Sequence, residues 1–360
     1  MSAFERVAAR RGVDVPKPRT SLRLVTEEPA TVESGTHRPP LLREIVGQGR
    51  LTMRLDTHIK SAVANSRPPG HVLLDGASGL GKTTVACTLS AELNKRKVPS
   101  EFHKVMAPEV KDVRALVLEL EQLSDNDVLL LDEIHLLPKP VQYALYSGLE
   151  DGEMTVKADR RSPAQTFPLP KITIVGATTH PGKLMPAFRG RFKFVGHIEP
   201  YQQDDLALLL LGHCERAEIT LDFDAAEIIA RASRCTPRQG IELLAAVRDY
   251  AYEMTGDINA PIDAETARQG LEYAEVDALG LDQRDLRVAG ELLGRFRGGS
   301  IGLKPLSTAL GMDITELTDD VLPYLIQAGL WEQQPRGQAA TKALWLHMTG
   351  KIPPLINGMI

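Results

Sequence analysis

The chain has 360 residues, of which 43% are apolar and 25% charged, with a formal net charge of −5. That length predicts two or three globular domains, and the composition excludes a disordered or fibrous chain. The acidic balance excludes a histone-like coat for nucleic acid but leaves room for a local basic patch, because phosphate contacts need only clustered cations. Three scattered cysteines (Cys87, Cys214 and Cys235) form no CxxC pair. A disulfide framework or cysteine zinc site is therefore not expected, and a cytoplasmic location is. The longest purely apolar run, Leu206 to Leu211, is six residues, against roughly 18 for a membrane span. The opening residues carry Glu5, Arg6, Arg10 and Arg11 instead of an apolar signal core, so no membrane partner is expected.

Residues 1–37 read as a flexible basic tail, with Arg6, Arg10, Arg11, Lys17, Arg19 and Arg23 against Glu5 and Asp14. Helical and strand-like segments alternate from Arg38 onward. The pattern predicts a helix over Gly49–Asn65, a strand over His71–Leu74, a Gly-rich turn and a helix over Lys82–Asn94. Another helix is predicted over Val110–Leu123, where Val110, Val113, Leu116, Val117, Leu120 and Leu123 recur at three- and four-residue steps. Two apolar strands follow, Val128–Asp132 and Ile172–Thr179. Continuous apolar strands belong to parallel sheets covered on both faces, so residues 38–203 read as a large α/β domain. Residues 204–276 read as a small helical domain. Residues 277–350 give helices, a turn and a two-strand ribbon around Pro335-Arg336-Gly337, the outline of a winged helix. A short tail, 351–360, ends the chain.

The strongest chemical signal is Gly76-Ala77-Ser78-Gly79-Leu80-Gly81-Lys82-Thr83, a complete GxxxxGK[ST] between a predicted strand and a predicted helix. From average residue usage such a match arises by chance in about one chain in a hundred of this length. Gly76, Gly79 and Gly81 let backbone N–H groups of the loop, Leu80 included, close around phosphates, and the helix start through Thr84 adds positive potential. Lys82 would reach the β- and γ-phosphates of ATP and Thr83 would hold Mg²⁺. Fifty residues on, an apolar strand ends in Asp132-Glu133. Asp132 can orient Mg²⁺ and its waters, and Glu133 can polarise an attacking water.

These motifs, in this order, resemble AAA+ ATPases and in particular the RuvB family of Holliday-junction branch-migration motors. The resemblance is carried by RPPLLREIVGQ (38–48), the Gly-rich loop, LLLDEIH (129–135), VGATTHPG (175–182) and FRGRF (188–192). It continues through TPRQG (236–240), GLKPLSTALG (302–311), VLPYLIQAGL (321–330) and PRGQAAT (335–341). It implies an α/β P-loop ATPase domain, a small helical lid and a C-terminal winged helix that binds double-stranded DNA. Thr179 would then be the first sensor, with Thr178 the competing candidate. Arg191 would reach a neighbouring subunit's nucleotide, with Arg189 the near alternative. Arg238 would be the second sensor, contacting phosphate in cis. Leu41, Ile45, Val46 and Tyr201 lie where the family packs adenine.

The family also carries a β-hairpin that docks onto a RuvA partner. Here the corresponding stretch between Glu150 and Lys171 has a polar tip. The resemblance further implies a homo-oligomeric ring, a hexamer, acting on four-way junctions. Ala77-Ser78 replaces the usual Pro-Pro and should loosen the loop. His180 stands where an arginine commonly follows the Thr pair. The second helix of the winged helix carries Asp313, Glu316, Asp319 and Asp320 and no Lys or Arg, which disfavours base readout in a major groove. Arg336 in the ribbon turn looks like the family's DNA contact, and Arg295, Arg297, Lys304 and Lys342 supply further charge. The rival readings are a clamp-loader or helicase-loader subunit and an ATP-gated DNA-binding scaffold with little turnover.

Overall fold

The structure, a computed structural model, describes residues 41–157, 164–335 and 337–351. The expected N-terminal tail, the tip of the 150–171 hairpin, Arg336 and residues 352–360 lie outside the described residues. The chain divides into two compact units. One runs to Glu227 and takes in Cys235–Ile241; the other comprises Ile228–Arg234 and everything from Glu242 onward.

The first unit is built on a five-stranded, wholly parallel sheet. Helix α1 (Gly49–Ala64) buries Leu51, Leu55, Ile59 and Ala62, a single stripe at helical spacing. Strand β1 (Val72–Asp75) leads into α2 (Lys82–Lys95), β2 (Phe102–Met106) and α3 (Val113–Leu120). Then come β3 (Val128–Asp132), α4 (Lys139–Asp151), the hairpin strands β4 (Glu153–Lys157) and β5 (Ala164–Pro168), β6 (Thr173–Thr178), the short α5 (Pro186–Arg189) and β7 (Phe194–His197). The sheet order is β2-β3-β6-β1-β7. Leu73, Leu129, Leu131 and Ile174 are fully buried in one core with Leu116, Leu145 and Phe188. Each such side chain contributes about 1.5–3 kcal/mol.

Strands β2 and β7 have no counterpart in the sequence reading, for one physical reason. They are the two edges of the sheet, so neither reads as a continuous apolar run. In β2 only Val105 is buried, and β7 alternates buried Phe194 and Gly196 with exposed Val195 and His197. The helix expected over Val110–Leu123 is shorter at both ends. It begins after Asp112, whose side chain accepts the Ala115 N–H at 2.9 Å, an N-cap that fixes the start.

His71, just before β1, is held neutral. Its Nδ1 accepts the Ile174 N–H at 3.1 Å, and burial, with the nearby Lys193 charge, lowers its pKa to about 4. The unfolded chain takes up this proton near pH 6.5. The neutral imidazole therefore adds stability above pH 6.5 that is lost as pH falls towards about 4, amounting to up to about 3 kcal/mol. Urea unfolding at pH 7 and pH 4.5 should show a smaller drop for His71→Gln than for the parent chain. An equal drop in both would contradict this role.

Helix α6 (Gln203–Arg216) lies within the first unit, and α7 (Phe223–Ala232) and α8 (Pro237–Thr255) each begin in it and end in the second. In the second unit α9 (Ala264–Tyr273) starts at an Asp263 cap. Next, α10 (Gln283–Gly294) starts at a capping box of Asp282 and Asp285. Arg234 joins this box, reaching both carboxylates and lying over the Tyr324 ring. After α11 (Leu303–Leu310), a helical run comprises α12 (Ile314–Glu316), a π-turn over Leu317–Val321 and α13 (Leu322–Gln327). Strands β8 (Trp331–Gln334) and β9 (Gly337–Ala340) form the antiparallel ribbon, and α14 (Lys342–Thr349) ends the element order. Leu292, Leu306, Leu317, Leu325, Trp331 and Leu344 share one core. This is the winged helix that the sequence predicts.

Candidate nucleotide site

The site is assembled where β1, β3 and β6 end, the carboxyl edge at which parallel sheets bind ligands. The loop between β1 and α2 has positive φ at Gly76 (+152°), Gly79 (+78°) and Gly81 (+92°). At Gly76 a Cβ would also lie 2.7 Å from the Ile198 carbonyl oxygen, so only glycine lets the loop leave the strand this tightly. Leu80 is 1% exposed and its side chain belongs to the core. Lys82 turns back on the loop, donating from Nζ to the Gly76 and Ala77 carbonyls at 2.9 Å each. Burial pulls this ammonium below the ordinary lysine range, and the Glu133 and Asp132 carboxylates oppose that shift.

Thr83, in the first turn of α2, places Oγ1 3.5 Å from Oδ2 of Asp132. Glu133 follows with φ +50° and ψ +45°, a left-handed conformation that costs a non-glycine residue about 1–3 kcal/mol. The Glu133 carboxylate is held at its tip. Its Oε2 accepts from the Thr179 hydroxyl at 3.1 Å and from the Thr179 N–H at 3.3 Å. It also lies 3.2 Å from His135 Nδ1.

Thr178 and Thr179 are separated by this geometry. Thr178 is fully buried, with Oγ1 3.0 Å from His135 Nδ1 and accepting the His180 N–H at 3.0 Å. Thr179 alone of the pair touches Glu133. Desolvation lowers the His135 pKa, against the pull of Glu133. Neutral, its Nδ1 serves either Thr178 as acceptor or Glu133 as donor. His180, where the family commonly has arginine, bonds the Thr179 hydroxyl at 2.9 Å and lies 5.0 Å from His135, ring to ring.

Arg238, at the start of α8, donates its guanidinium N–H to Ser78 Oγ at 3.2 Å and its backbone N–H to the Gly79 carbonyl at 3.3 Å. Ser78 thus ties the loop to Arg238, an anchor that the expectation of a looser loop did not include. Leu41, Ile45 and Val46 are half-buried, whereas Leu42 between them is core. Tyr201 is buried, and a Cβ at Gly47 would lie 2.9 Å from its ring. Burial pushes the Tyr201 phenol up to about 12, keeping it neutral. Gln48 bonds the Glu199 backbone at 2.8 Å, so the segment before α1 is held against the chain that leaves β7 beside Gly76.

Arg191 is not brought to this cluster. It donates to the Tyr146 hydroxyl at 2.7 Å, pairs with Glu150 and lies 4.7 Å over the Tyr146 ring. Arg189 is exposed at the end of α5. One residue at the site was not anticipated from sequence. Lys104 of β2 pairs with Asp132 Oδ2 at 3.0 Å. A lysine in an edge strand carries no sequence signal that would single it out.

Three family descriptions match in succession: "Holliday junction DNA helicase RuvB P-loop domain" over residues 37–198, "RuvB AAA lid domain" over 201–277 and "RuvB C-terminal winged helix domain" over 278–349. The Holliday junction branch migration complex subunit RuvB of Thermobifida fusca is 39% identical over 88% of this chain and 88% of its own length. That of Streptomyces griseus is 38% identical over 88% and 86%. The chain belongs to the RuvB family. It is therefore a P-loop nucleotide-binding protein of the AAA+ type and an ATPase. The solved Thermotoga maritima RuvB Holliday junction branch migration motor superposes with a TM-score of 0.74 at 31% identity, covering 88% of this chain and 99% of that one.

Like its RuvB relatives, this chain has a winged helix, and its exposed cations are unevenly placed. Arg295 and Lys304 line one hollow of about 470 Å³ with Phe296, Pro305 and Thr308. Arg297 is exposed at φ +49°. Asp319 and Asp320 are exposed on the helical run between α12 and α13. Among the described residues no helix is long and apolar enough to cross a membrane.

Proposed function

We propose that this chain is an ATP-driven motor that moves four-way DNA junctions, working as a homo-oligomeric, hexameric ring in the cytoplasm with a RuvA-like partner. Its working parts are an ATPase domain (38–203), a lid (204–276) and a DNA-binding winged helix (277–350). The observation that carries this reading is the Glu133 carboxylate, held by Thr179 beside Asp132 and the phosphate loop in a chain that belongs to the RuvB family.

Thr83 and Asp132 offer hydroxyl and carboxylate oxygens within 3.5 Å of each other, a donor set that suits Mg²⁺, which on binding would neutralise phosphate charge. In this mechanism Lys82 exchanges its two loop carbonyls for the β- and γ-phosphates. Glu133 accepts a hydrogen bond from the attacking water and aligns it with the γ-phosphorus. Thr179, bonded to that carboxylate, reports whether a γ-phosphate is present. Arg238 reads the nucleotide from the loop side, because Ser78 and Gly79 hold its helix start there. Leu41, Ile45, Val46 and Tyr201 flank the adenine.

DNA contact is assigned to Arg297, Lys304 and Arg336. The acidic helical run supports backbone contact over base readout. Arg297→Ala and Lys304→Ala should each weaken duplex binding about equally across sequences and lower the salt slope by about 1. Fluorescence anisotropy over a salt series measures this, and an unchanged slope would remove these residues from the interface. Steady-state ATPase assays with no DNA, linear duplex and a synthetic four-way junction, with and without RuvA, test the whole reading. Greater stimulation by the junction with RuvA supports branch migration; stimulation by duplex alone favours a loader.

A further inference from the structure

Asp132 has one carboxylate oxygen, Oδ2, facing both Thr83 and Lys104, while Oδ1 accepts the Glu133 N–H at 3.1 Å. Lys104 approaches along the sheet. The β2–β3 register sets Met106 opposite Asp132 and Lys104 opposite Leu130. Residues two apart in a strand share a face, so Lys104 and Met106 lie on the same side, and the long lysine stem spans the remaining distance. The Asp132 side chain is 14% exposed and that of Lys104 37%, so the pair sits at the rim of the site, where screening is partial. Lys82 is engaged elsewhere, on the loop carbonyls. Among the described residues, Lys104 is thus the ammonium paired with Asp132.

We propose that Lys104 is a specificity-determining residue at the metal position: it stands in for the divalent cation at Asp132 and so weakens the dependence of nucleotide binding on Mg²⁺. The inference rests on the reading that Asp132 faces the nucleotide's metal. Two cations cannot share one carboxylate oxygen without repulsion. Binding of Mg²⁺ must therefore displace the lysine or tolerate its charge, and either raises the Mg²⁺ concentration needed. In the absence of Mg²⁺ the paired ammonium offsets the Asp132 charge that would otherwise repel the phosphates, which holds up the affinity for metal-free nucleotide.

The test is equilibrium binding of a fluorescent ATP analogue to the full chain in EDTA and across a Mg²⁺ titration, which reads affinity without turnover. Lys104→Met should weaken binding in EDTA by about tenfold and lower the Mg²⁺ midpoint by a similar factor. Lys104→Arg should retain the parent behaviour. Lys171→Met, which removes an exposed lysine's charge elsewhere, should change neither quantity. The melting temperature without ligand monitors folding of each variant. Unchanged affinity in EDTA and an unchanged midpoint for Lys104→Met would overturn the proposal, as would an equal shift in Lys171→Met. No binding by any variant or by the parent chain would instead overturn the nucleotide-site reading on which it rests.

Discussion

Replacing Glu133 by glutamine is expected to lower ATP turnover by about 10²–10⁴-fold, the usual contribution of a positioned general base, while leaving nucleotide binding within a few-fold of the parent. Glutamine keeps the length and one oxygen acceptor for the Thr179 hydroxyl, so the bond at 3.1 Å can survive. It loses the negative charge that polarises water. It also removes one of the three carboxylates that raise the Lys82 pKa, but Asp132 and Asp75 remain, and the neighbouring phosphates keep the ammonium charged. Turnover by coupled assay and binding by fluorescent analogue separate the two effects. Turnover at the parent level would mean that another group activates the water, and His135, 3.2 Å from Glu133, would be examined next.

Arg191→Ala should reduce turnover by about 10³–10⁵-fold if its guanidinium completes a neighbour's site, as arginine fingers do in other NTPases. Within its own subunit it is held by Tyr146 and Glu150, away from Lys82, Asp132 and Glu133. A role in trans therefore requires the arginine to exchange Glu150 for phosphate, a trade of one charge-assisted partner for a more highly charged one. Mixing decides between cis and trans action. Arg191→Ala subunits supply an intact loop and Lys82→Ala subunits supply an intact arginine, so mixed rings should regain turnover that neither variant has alone. No recovery in the mixture, or a loss confined to Arg189→Ala, would remove Arg191 from the role.

Much of this architecture was legible because its signals are local. The phosphate loop and the Asp132-Glu133 pair can be read from residue type and spacing, and the central strands from their unbroken apolar runs. The choice between Thr178 and Thr179 was not readable in that way. Thr178 ends β6 and Thr179 follows it, and residue type and spacing do not say which hydroxyl the Glu133 carboxylate meets. The edge strands were missed because half of each faces away from the core. Lys104 was missed with them, since its significance depends on a strand register that places it beside Asp132. Ser78 was visible as a departure from the family, but its partner lies 160 residues away, so its bond to Arg238 could not be read from the loop alone.

The central claim is that hydrolysis at this site moves a DNA junction. The most direct measurement is the conversion of a labelled synthetic four-way junction into its duplex products, with RuvA present. ATP, a non-hydrolysable analogue, and ATP with the Glu133→Gln chain would be compared side by side. The account predicts products with ATP and the parent chain only. Equal product with the analogue, or with Glu133→Gln, would contradict it. So would turnover of ATP on the junction without any product.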